Sequence, residues 1–139
     1  MLLNRREREK SVSGYSQYPK ILVVEDDPDT REILVEFFAA HGYEVTSVSS
    51  AEAGLEKLQQ AEADIVVSDN HLDGGRTGSW MLRCAEEQGL LEKVGAVMYT
   101  GDAAIPMVPR TVRVLRKPTA LRELELTAER AADSARLRR

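Results

Sequence analysis

The sequence predicts an α/β protein with a doubly wound, five-stranded parallel sheet. Five short runs rich in β-branched residues alternate with segments of helical period, namely KILVV, YEVTSV, DIVVSD, GAVMYT and VRVL. This alternation is typical of βαβ units, in which a crossover helix joins two parallel strands. The first, third and fourth runs are almost continuously apolar, so we expect them to be central strands that are covered on both faces.

The first helix has a well-marked start. Asp27 can act as its N-cap, and Pro28 suits the first helical position because the first turn leaves its N–H groups unbonded in any case. The sequence HGY then ends the helix. Apolar residues recur at helical spacing and should share one face of it; they are Ile33, Leu34, Phe37 and Phe38.

Three further segments of the chain predict helices. Ser49 and Glu52 have the spacing of a capping box before AGLEKLQQ, which predicts a second helix there. A third helix should begin near Ser79, and the last should cover about residues 119–135 on its run of spaced leucines.

The connection between the fourth and fifth strands is unfavourable for a helix. Its sequence, GDAAIPMVPRT, contains Pro106 and Pro109. A proline inside a helix removes a hydrogen bond and clashes with the preceding turn. We therefore expect the fourth helix of the βαβ series to be abbreviated or missing.

Length and composition favour one domain. For 139 residues we expect a flexible tail at residues 1–18, a domain at 19–135 and a short tail at 136–139. A net charge of −4 without a long basic run argues against nucleic acid as a partner. The single cysteine excludes an internal disulfide.

No run approaches the roughly 18 apolar residues of a membrane helix, and no signal peptide is present, so we expect no membrane insertion and a cytoplasmic location.

Polar side chains stand at the ends of four predicted strands. Glu25 and Asp26 follow the first strand, Asp69 follows the third, Thr100 ends the fourth and Lys117 follows the fifth. In an open, doubly wound sheet, the carboxyl ends of the strands border the crevice in which ligands bind. We therefore expect these five side chains to form one site.

This set of residues predicts phosphoryl chemistry. Three carboxylates so close together repel one another unless a cation intervenes, and Mg²⁺ prefers carboxylate oxygens and is commonly completed by a phosphate oxygen. With the metal and Lys117 neutralising charge, Asp69 could act as a nucleophile toward a phosphoryl group and form an acyl phosphate. Thr100 would then donate a hydrogen bond to a phosphoryl oxygen.

The motifs LVVEDD, VVSD, MYTGD and LRKP, in this order, resemble the receiver domain of two-component response regulators over about residues 19–135. The resemblance implies the flavodoxin-like strand order 2-1-3-4-5. It also implies Mg²⁺ or Mn²⁺ as the cofactor. The phosphoryl donor would be a phosphohistidine on a sensor histidine kinase or a histidine phosphotransfer protein, and the output partner is unknown.

The resemblance assigns metal ligands among the site residues. Asp69 is implied to be the phosphoacceptor and, together with Asp26, a direct ligand of the metal. Glu25 is implied to bind the metal through a water molecule. The backbone carbonyl of His71 is implied to complete the shell.

The resemblance also assigns the residues that respond to the phosphoryl group. Thr100 and Lys117 are implied to bind it and to act in the switch. A cis peptide bond between Lys117 and Pro118 is usual in the family. The residues two positions after the phosphoacceptor and after the threonine, His71 and Asp102, are expected to tune dephosphorylation.

The sequence departs from the family at three places. Asp73 stands where a proline is usual, and the glycine that should follow is delayed to Gly78 by one inserted residue. Val114 stands where the family has an aromatic switch residue. Because the fourth helix is expected to be abbreviated or missing, the surface that the family uses for output should be remodelled.

We expect a non-enzymatic receiver that is phosphorylated on Asp69 and signals by protein contact or phosphorelay. It would be a single-domain receiver, or one excised from a larger protein such as a hybrid kinase. An alternative is a receiver-like scaffold that binds its partner without phosphorylation, which the altered loops and the missing aromatic residue make credible. A metal-dependent phosphatase is disfavoured, because such enzymes commonly have an aspartate two residues after the nucleophile and this chain has His71 there.

Overall fold

The computed structural model describes residues 18–138 as a parallel sheet with helices on both faces. The predicted tail at residues 1–18 therefore lies, except for Tyr18, outside the described residues. The strands are β1 (Lys20–Val24), β2 (Glu44–Val48), β3 (Ile65–Ser68), β4 (Gly95–Thr100) and β5 (Arg113–Arg116). The helices are α1 (Pro28–Ala40), α2 (Ala51–Gln59), α3 (Gly78–Glu87) and α4 (Leu121–Leu137).

The sheet confirms the predicted topology. All neighbouring strands are parallel, in the order β2-β1-β3-β4-β5. The three central strands are β1, β3 and β4, as their continuous apolar character predicts, and nearly all of their side chains are buried. Because the strands are parallel, their carboxyl ends lie at one edge of the sheet.

The core has two layers, one on each face of the sheet. On one face, α1 and α4 bury Leu34, Phe38 and Leu124 against alternate side chains of the central strands. On the other face, α2 and α3 do the same with Leu58 and Met81. Each central strand is thus apolar on both faces, which explains its lack of polar alternation.

The β4–β5 loop, residues 101–112, contains no helix, which confirms the expectation drawn from Pro106 and Pro109. The loop covers the sheet face instead: Val112 is buried there, and Val108 packs against the same apolar cluster as α2 and α3. These two valines partly replace the apolar face that a helix would bring.

Two details of the helices differ from expectation. The N-cap of α2 is Ser50, whose side chain accepts a hydrogen bond from Ala53 N–H; the predicted cap, Ser49, is one residue too early. In α1, Asp27 caps the helix as predicted by accepting from Thr30 N–H at 3.0 Å. However, Ile33, which was expected on the buried face of α1, is 55% exposed.

Within residues 18–138, no helix combines the length and the apolar character that crossing a bilayer requires.

The start of β4 and the helix α4 approach each other so closely that only glycine fits at position 95. A Cβ atom on Gly95 would lie 2.4 Å from the backbone nitrogen of Ala132 and 2.6 Å from the backbone carbon of Ala131. Backbone atoms in the middle of a helix cannot shift singly, so a larger residue would displace α4 from the sheet.

We predict that Gly95→Ala destabilises the protein by about 1–3 kcal/mol, the usual cost of overpacking a well-packed core. The measurement is the free energy of unfolding in urea. Gly101→Ala is the matched control, because a Cβ atom at Gly101 would have nothing within 4 Å. Equal unfolding free energies for the two variants would contradict the predicted close packing of β4 and α4.

Candidate functional site

Three carboxylates gather at the carboxyl edge of the sheet, as the sequence predicts. Glu25 and Asp26 follow β1, and Asp69 follows β3. Each offers an oxygen atom, and these atoms all lie within 4.8 Å of one another. Glu25 is buried, whereas Asp26 and Asp69 are half-buried. The cluster therefore opens to solvent on one side and is desolvated on the other.

The backbone holds this cluster by continuing the strand pairing beyond the strands. Glu25 N–H donates to the carbonyl of Val48, and Asp69 N–H donates to the carbonyl of Val24, both at 3.0 Å. Arg31, from the first turns of α1, donates to the carbonyl of Glu25 at 2.8 Å. These bonds fix the loop after β1 relative to both neighbouring strands.

The ammonium of Lys117 lies between two of the carboxylates. Its Nζ atom is 3.1 Å from Glu25 Oε1 and 3.2 Å from Asp69 Oδ2. Burial lowers the pKa of Lys117, but the negative charges of Asp69 and Glu25 outweigh this effect and raise the pKa above its ordinary value. Lys117 is therefore charged at neutral pH, and the peptide bond that joins it to Pro118 is cis, as expected.

Glu25 is held in an environment that opposes its charge. Burial raises the pKa of its carboxyl group, and nearby Asp69 adds to the increase. The N–H of Asp27, which donates to Glu25 Oε2 at 3.2 Å, and the ammonium of Lys117 act in the opposite direction without cancelling it. A nearby cation therefore favours the ionised form of Glu25.

Thr100, at the end of β4, is buried, and both its hydroxyl oxygen and its carbonyl oxygen accept hydrogen bonds. Its hydroxyl oxygen accepts a hydrogen bond from Asp102 N–H at 3.1 Å, and its carbonyl accepts one from Lys117 N–H at 2.8 Å. Because Oγ1 is the acceptor in the first bond, the hydroxyl proton remains for donation to another group.

Asp102 connects the loop after β4 to the loop after β3. Its Oδ2 atom accepts from the side-chain amide of Asn70 at 3.0 Å, and its Oδ1 atom contacts Nε2 of His71. Asn70 in turn accepts from Ser79 N–H in the first turn of α3. The His71 side chain is largely exposed.

Gly78 fills the glycine position despite the inserted residue in the loop before it. A Cβ atom there would lie 2.0 Å from the carbonyl oxygen of Asp69. The N–H of Gly78 donates to the carbonyl of Asn70 at 2.8 Å. Gly74 and Gly75, in the same loop, both have positive φ.

The structure thus brings Glu25, Asp26, Asp69 and Lys117 together and joins Thr100 to Lys117 through a backbone hydrogen bond. Sequence reasoning missed Asn70 and Arg31, which hold the neighbouring loops. A polar residue after a strand and an arginine on an amphipathic helix are both common at exposed positions, so neither carries a signal before the fold is known.

The donor set fits a hard divalent cation. Carboxylate oxygens are the ligands that Mg²⁺ and similar ions prefer, and three of them converge around the half-open side of the site. The cluster also holds more negative charge than the single ammonium of Lys117 can balance. The acidic residues could therefore hold a metal ion.

Comparison with known proteins identifies the family of this chain. A model of the response regulator receiver domain family matches residues 21–129. The chain is 33% identical over 103 residues to "Protein Rrf1" of Nitratidesulfovibrio vulgaris, covering 71% of this chain and 72% of that protein. It is 30% identical over 114 residues to "Response regulator receiver protein CpdR" of Brucella abortus, covering 76% of this chain and 89% of the relative.

Solved structures show the same fold. The response regulator receiver protein of Sinorhizobium medicae superposes with a TM-score of 0.76 at 24% sequence identity, over 86% of this chain and 98% of that structure. The chemotaxis response regulator CheY4 of Vibrio cholerae gives a TM-score of 0.72 at 24% identity, over 83% and 99% of the two chains. The chain therefore belongs to the response regulator receiver domain family of two-component signalling.

Proposed function

We propose that Asp69 accepts a phosphoryl group from a phosphohistidine and that the phosphorylated chain then signals by protein contact or passes the group on. The observation that carries this proposal is the position of the Lys117 ammonium, within 3.2 Å of Asp69 and bridged to buried Glu25. Asp69 is thus a half-open carboxylate with a fixed cation beside it. This arrangement suits a nucleophile that attacks an anionic group.

The transfer is a substitution at phosphorus. An oxygen of Asp69 forms a bond to phosphorus, and the bond from phosphorus to the donor's imidazole nitrogen breaks. The imidazole keeps the electron pair of that bond and takes up a proton from water. Lys117 stays charged, because its pKa is raised, and neutralises negative charge next to the reacting oxygen.

In this proposal Asp26 and Asp69 would hold Mg²⁺ or Mn²⁺, with Glu25 acting through water and the backbone carbonyl of His71 as a further donor. When bound, the metal would neutralise charge on the phosphoryl oxygens and so lower the barrier to transfer. The close approach of the three carboxylates supports this assignment.

Thr100 is proposed to donate its hydroxyl proton to the phosphoryl group once Asp69 carries it. The bond from Asp102 N–H to Thr100 Oγ1 supports this role because it orients the hydroxyl and leaves its proton available. His71 and Asp102, which contact each other, are proposed to tune dephosphorylation by controlling how water reaches the acyl phosphate.

The partners proposed are a sensor histidine kinase or a histidine phosphotransfer protein as donor, together with an output protein. We also propose that the chain acts as a signalling domain rather than an enzyme, and that it does so in the cytoplasm.

Replacing the phosphoacceptor should abolish modification. We predict that the wild-type protein gains one phosphoryl group when incubated with acetyl phosphate and Mg²⁺, and that Asp69→Asn gains none, because an amide is a poor nucleophile toward phosphorus. The measurement is intact mass after rapid quenching. Asp73→Asn, an exposed position in the same loop, is the control and should be modified at the wild-type rate.

Modification of Asp69→Asn at the wild-type rate would show that another residue is the acceptor. Absence of modification in the wild-type protein, with no binding of beryllofluoride, would instead favour the alternative function of a phosphorylation-independent scaffold. The missing helix between β4 and β5 and Val114 at the usual aromatic position are the observations that favour this second candidate.

Removing a ligand should weaken metal binding. We predict that Asp26→Asn weakens Mg²⁺ binding by about tenfold or more, because losing even an indirect partner of a metal costs that much. The measurement is isothermal titration calorimetry with Mg²⁺. Asp29→Asn, exposed in the first turn of α1, is the control with the same change of charge. Equal weakening by both variants would show a general charge effect instead of a ligand at Asp26.

A further inference from the structure

Tyr99 is the penultimate residue of β4 and lies immediately before Thr100. Its side chain is buried in the apolar layer that α1 and α4 form on one face of the sheet. In the parallel pairing of β4 with β5, Tyr99 stands beside Leu115, which comes two residues before Lys117. Tyr99 is therefore next to the stretch of chain that carries the cation of the site.

The ammonium of Lys117 lies over the ring of Tyr99. Its Nζ atom is 5.2 Å from the ring centroid, within the roughly 6 Å over which a cation is attracted to the negative face of an aromatic ring. The same atom is in hydrogen-bond contact with Glu25 Oε1 and Asp69 Oδ2. Two carboxylates and one aromatic ring thus contact this ammonium together.

The hydroxyl of Tyr99 bonds the same stretch of chain further along. It donates to the carbonyl of Thr119 at 3.2 Å, two residues after Lys117. The N–H of Lys117 itself donates to the carbonyl of Thr100 at 2.8 Å. The last two residues of β4 therefore hold the connection between β5 and α4 at two points.

The N-terminal end of α4 supplies no side-chain cap that could hold this connection. Ala120 occupies the N-cap position and makes no side-chain hydrogen bond there. The hydroxyl of Thr119 donates to the carbonyl of Arg116, only three residues earlier. The bond from Tyr99 differs from this local one because it ties the connection to another strand.

A buried tyrosine ordinarily fills space and satisfies its hydroxyl group. The place of Tyr99 beside a reacting group gives its ring a further consequence. A lysine ammonium is a point charge on a flexible stem of four carbons, and its attraction to Asp69 changes when that carboxylate reacts. The ring carries no net charge and takes no part in the reaction, so its attraction for the ammonium persists throughout.

We propose that Tyr99 is a positioning residue for phosphoryl transfer. Its ring holds the ammonium of Lys117, and its hydroxyl anchors the connection that carries Lys117, so that Nζ stays beside Asp69 before and after the reaction. The inference rests on the proposed roles of Asp69 as the phosphoacceptor and of Lys117 as the cation next to it.

The first measurement is the rate at which the full chain is phosphorylated by acetyl phosphate with Mg²⁺, followed by intact mass. Tyr99→Phe keeps the ring and should lower the rate by about threefold or less. Tyr99→Leu removes both the ring and the hydroxyl and should lower the rate by about tenfold, the usual combined effect of one cation–π contact and one hydrogen bond.

Fluorinated phenylalanines in place of Tyr99 separate the attraction for the cation from packing. Each fluorine withdraws electrons from the ring face, whereas the shape of the ring changes little. We expect the rate to fall stepwise from phenylalanine to its monofluoro and difluoro forms. The same series at Phe38, whose ring packs on Phe37 and Tyr43, is the control and should leave the rate unchanged.

A second measurement requires no phosphorylation. In NMR spectra of the full chain, the ring current of Tyr99 should shift the ε-methylene protons of Lys117 upfield. Tyr99→Phe should keep this shift, and Tyr99→Leu should lose it. Signals of Lys117 that are the same in the wild-type and Tyr99→Leu proteins would show that the ammonium does not lie over the ring, and this would overturn the inference.

The two measurements distinguish failure of this inference from failure of the proposed function. If the wild-type chain is phosphorylated and the fluorinated series reacts at one constant rate, the role of Tyr99 is overturned while Asp69 remains the acceptor. If the wild-type chain is not phosphorylated at all, the proposed function is contradicted, and the role of Tyr99 in the transfer is overturned with it.

Discussion

One cation shared by two carboxylates governs the arrangement of the site. Lys117 lies within 3.2 Å of both Glu25 and Asp69, and it reaches them only because β5 is brought beside β4 at the same edge of the sheet. Leaving a buried charge without its partner costs about 3–5 kcal/mol, a large part of the roughly 5–15 kcal/mol by which a domain is stable. The cation at the end of the last strand therefore stabilises the buried Glu25 carboxylate. The three carboxylates carry more negative charge than one ammonium can balance, so the cluster could hold a metal ion.

The surroundings of Thr100 link this site to the part of the molecule that departs most from its family. Asp102 donates its N–H to the Thr100 hydroxyl, accepts from Asn70, contacts His71, and offers its carbonyl to Arg116. Asp102, the second residue of the β4–β5 loop, is thus bonded both to the site and to the edge strand. A displacement of Thr100 would therefore move this loop directly, without a helix or an aromatic ring between them.

Local sequence rules predicted the elements well and their exact ends less well. The alternation of apolar runs and helical periods was sufficient to place five strands, because a strand covered on both faces cannot contain polar residues in alternation. The two prolines correctly predicted the loss of a helix between β4 and β5. Ser49 and Ser50 could not be distinguished as caps, because either hydroxyl can reach an amide three residues later and only the end of β2 decides between them. The position of Ile33 depends on how α1 is rotated against the sheet, and helical spacing alone does not determine that rotation.

The sequence by itself determined the chemistry that could occur: carboxylates at two strand ends, a hydroxyl at a third and an ammonium at a fourth, in an order that parallel topology must collect at one edge. The tertiary structure decided which of these groups touch, because contacts between residues up to 92 positions apart depend on strand order and loop packing rather than on neighbouring sequence. It also decided the roles of Asn70, Arg31 and Arg116. Each of these residues acts on a backbone group or side chain of another segment, and nothing in its own surroundings in the sequence indicates that partner.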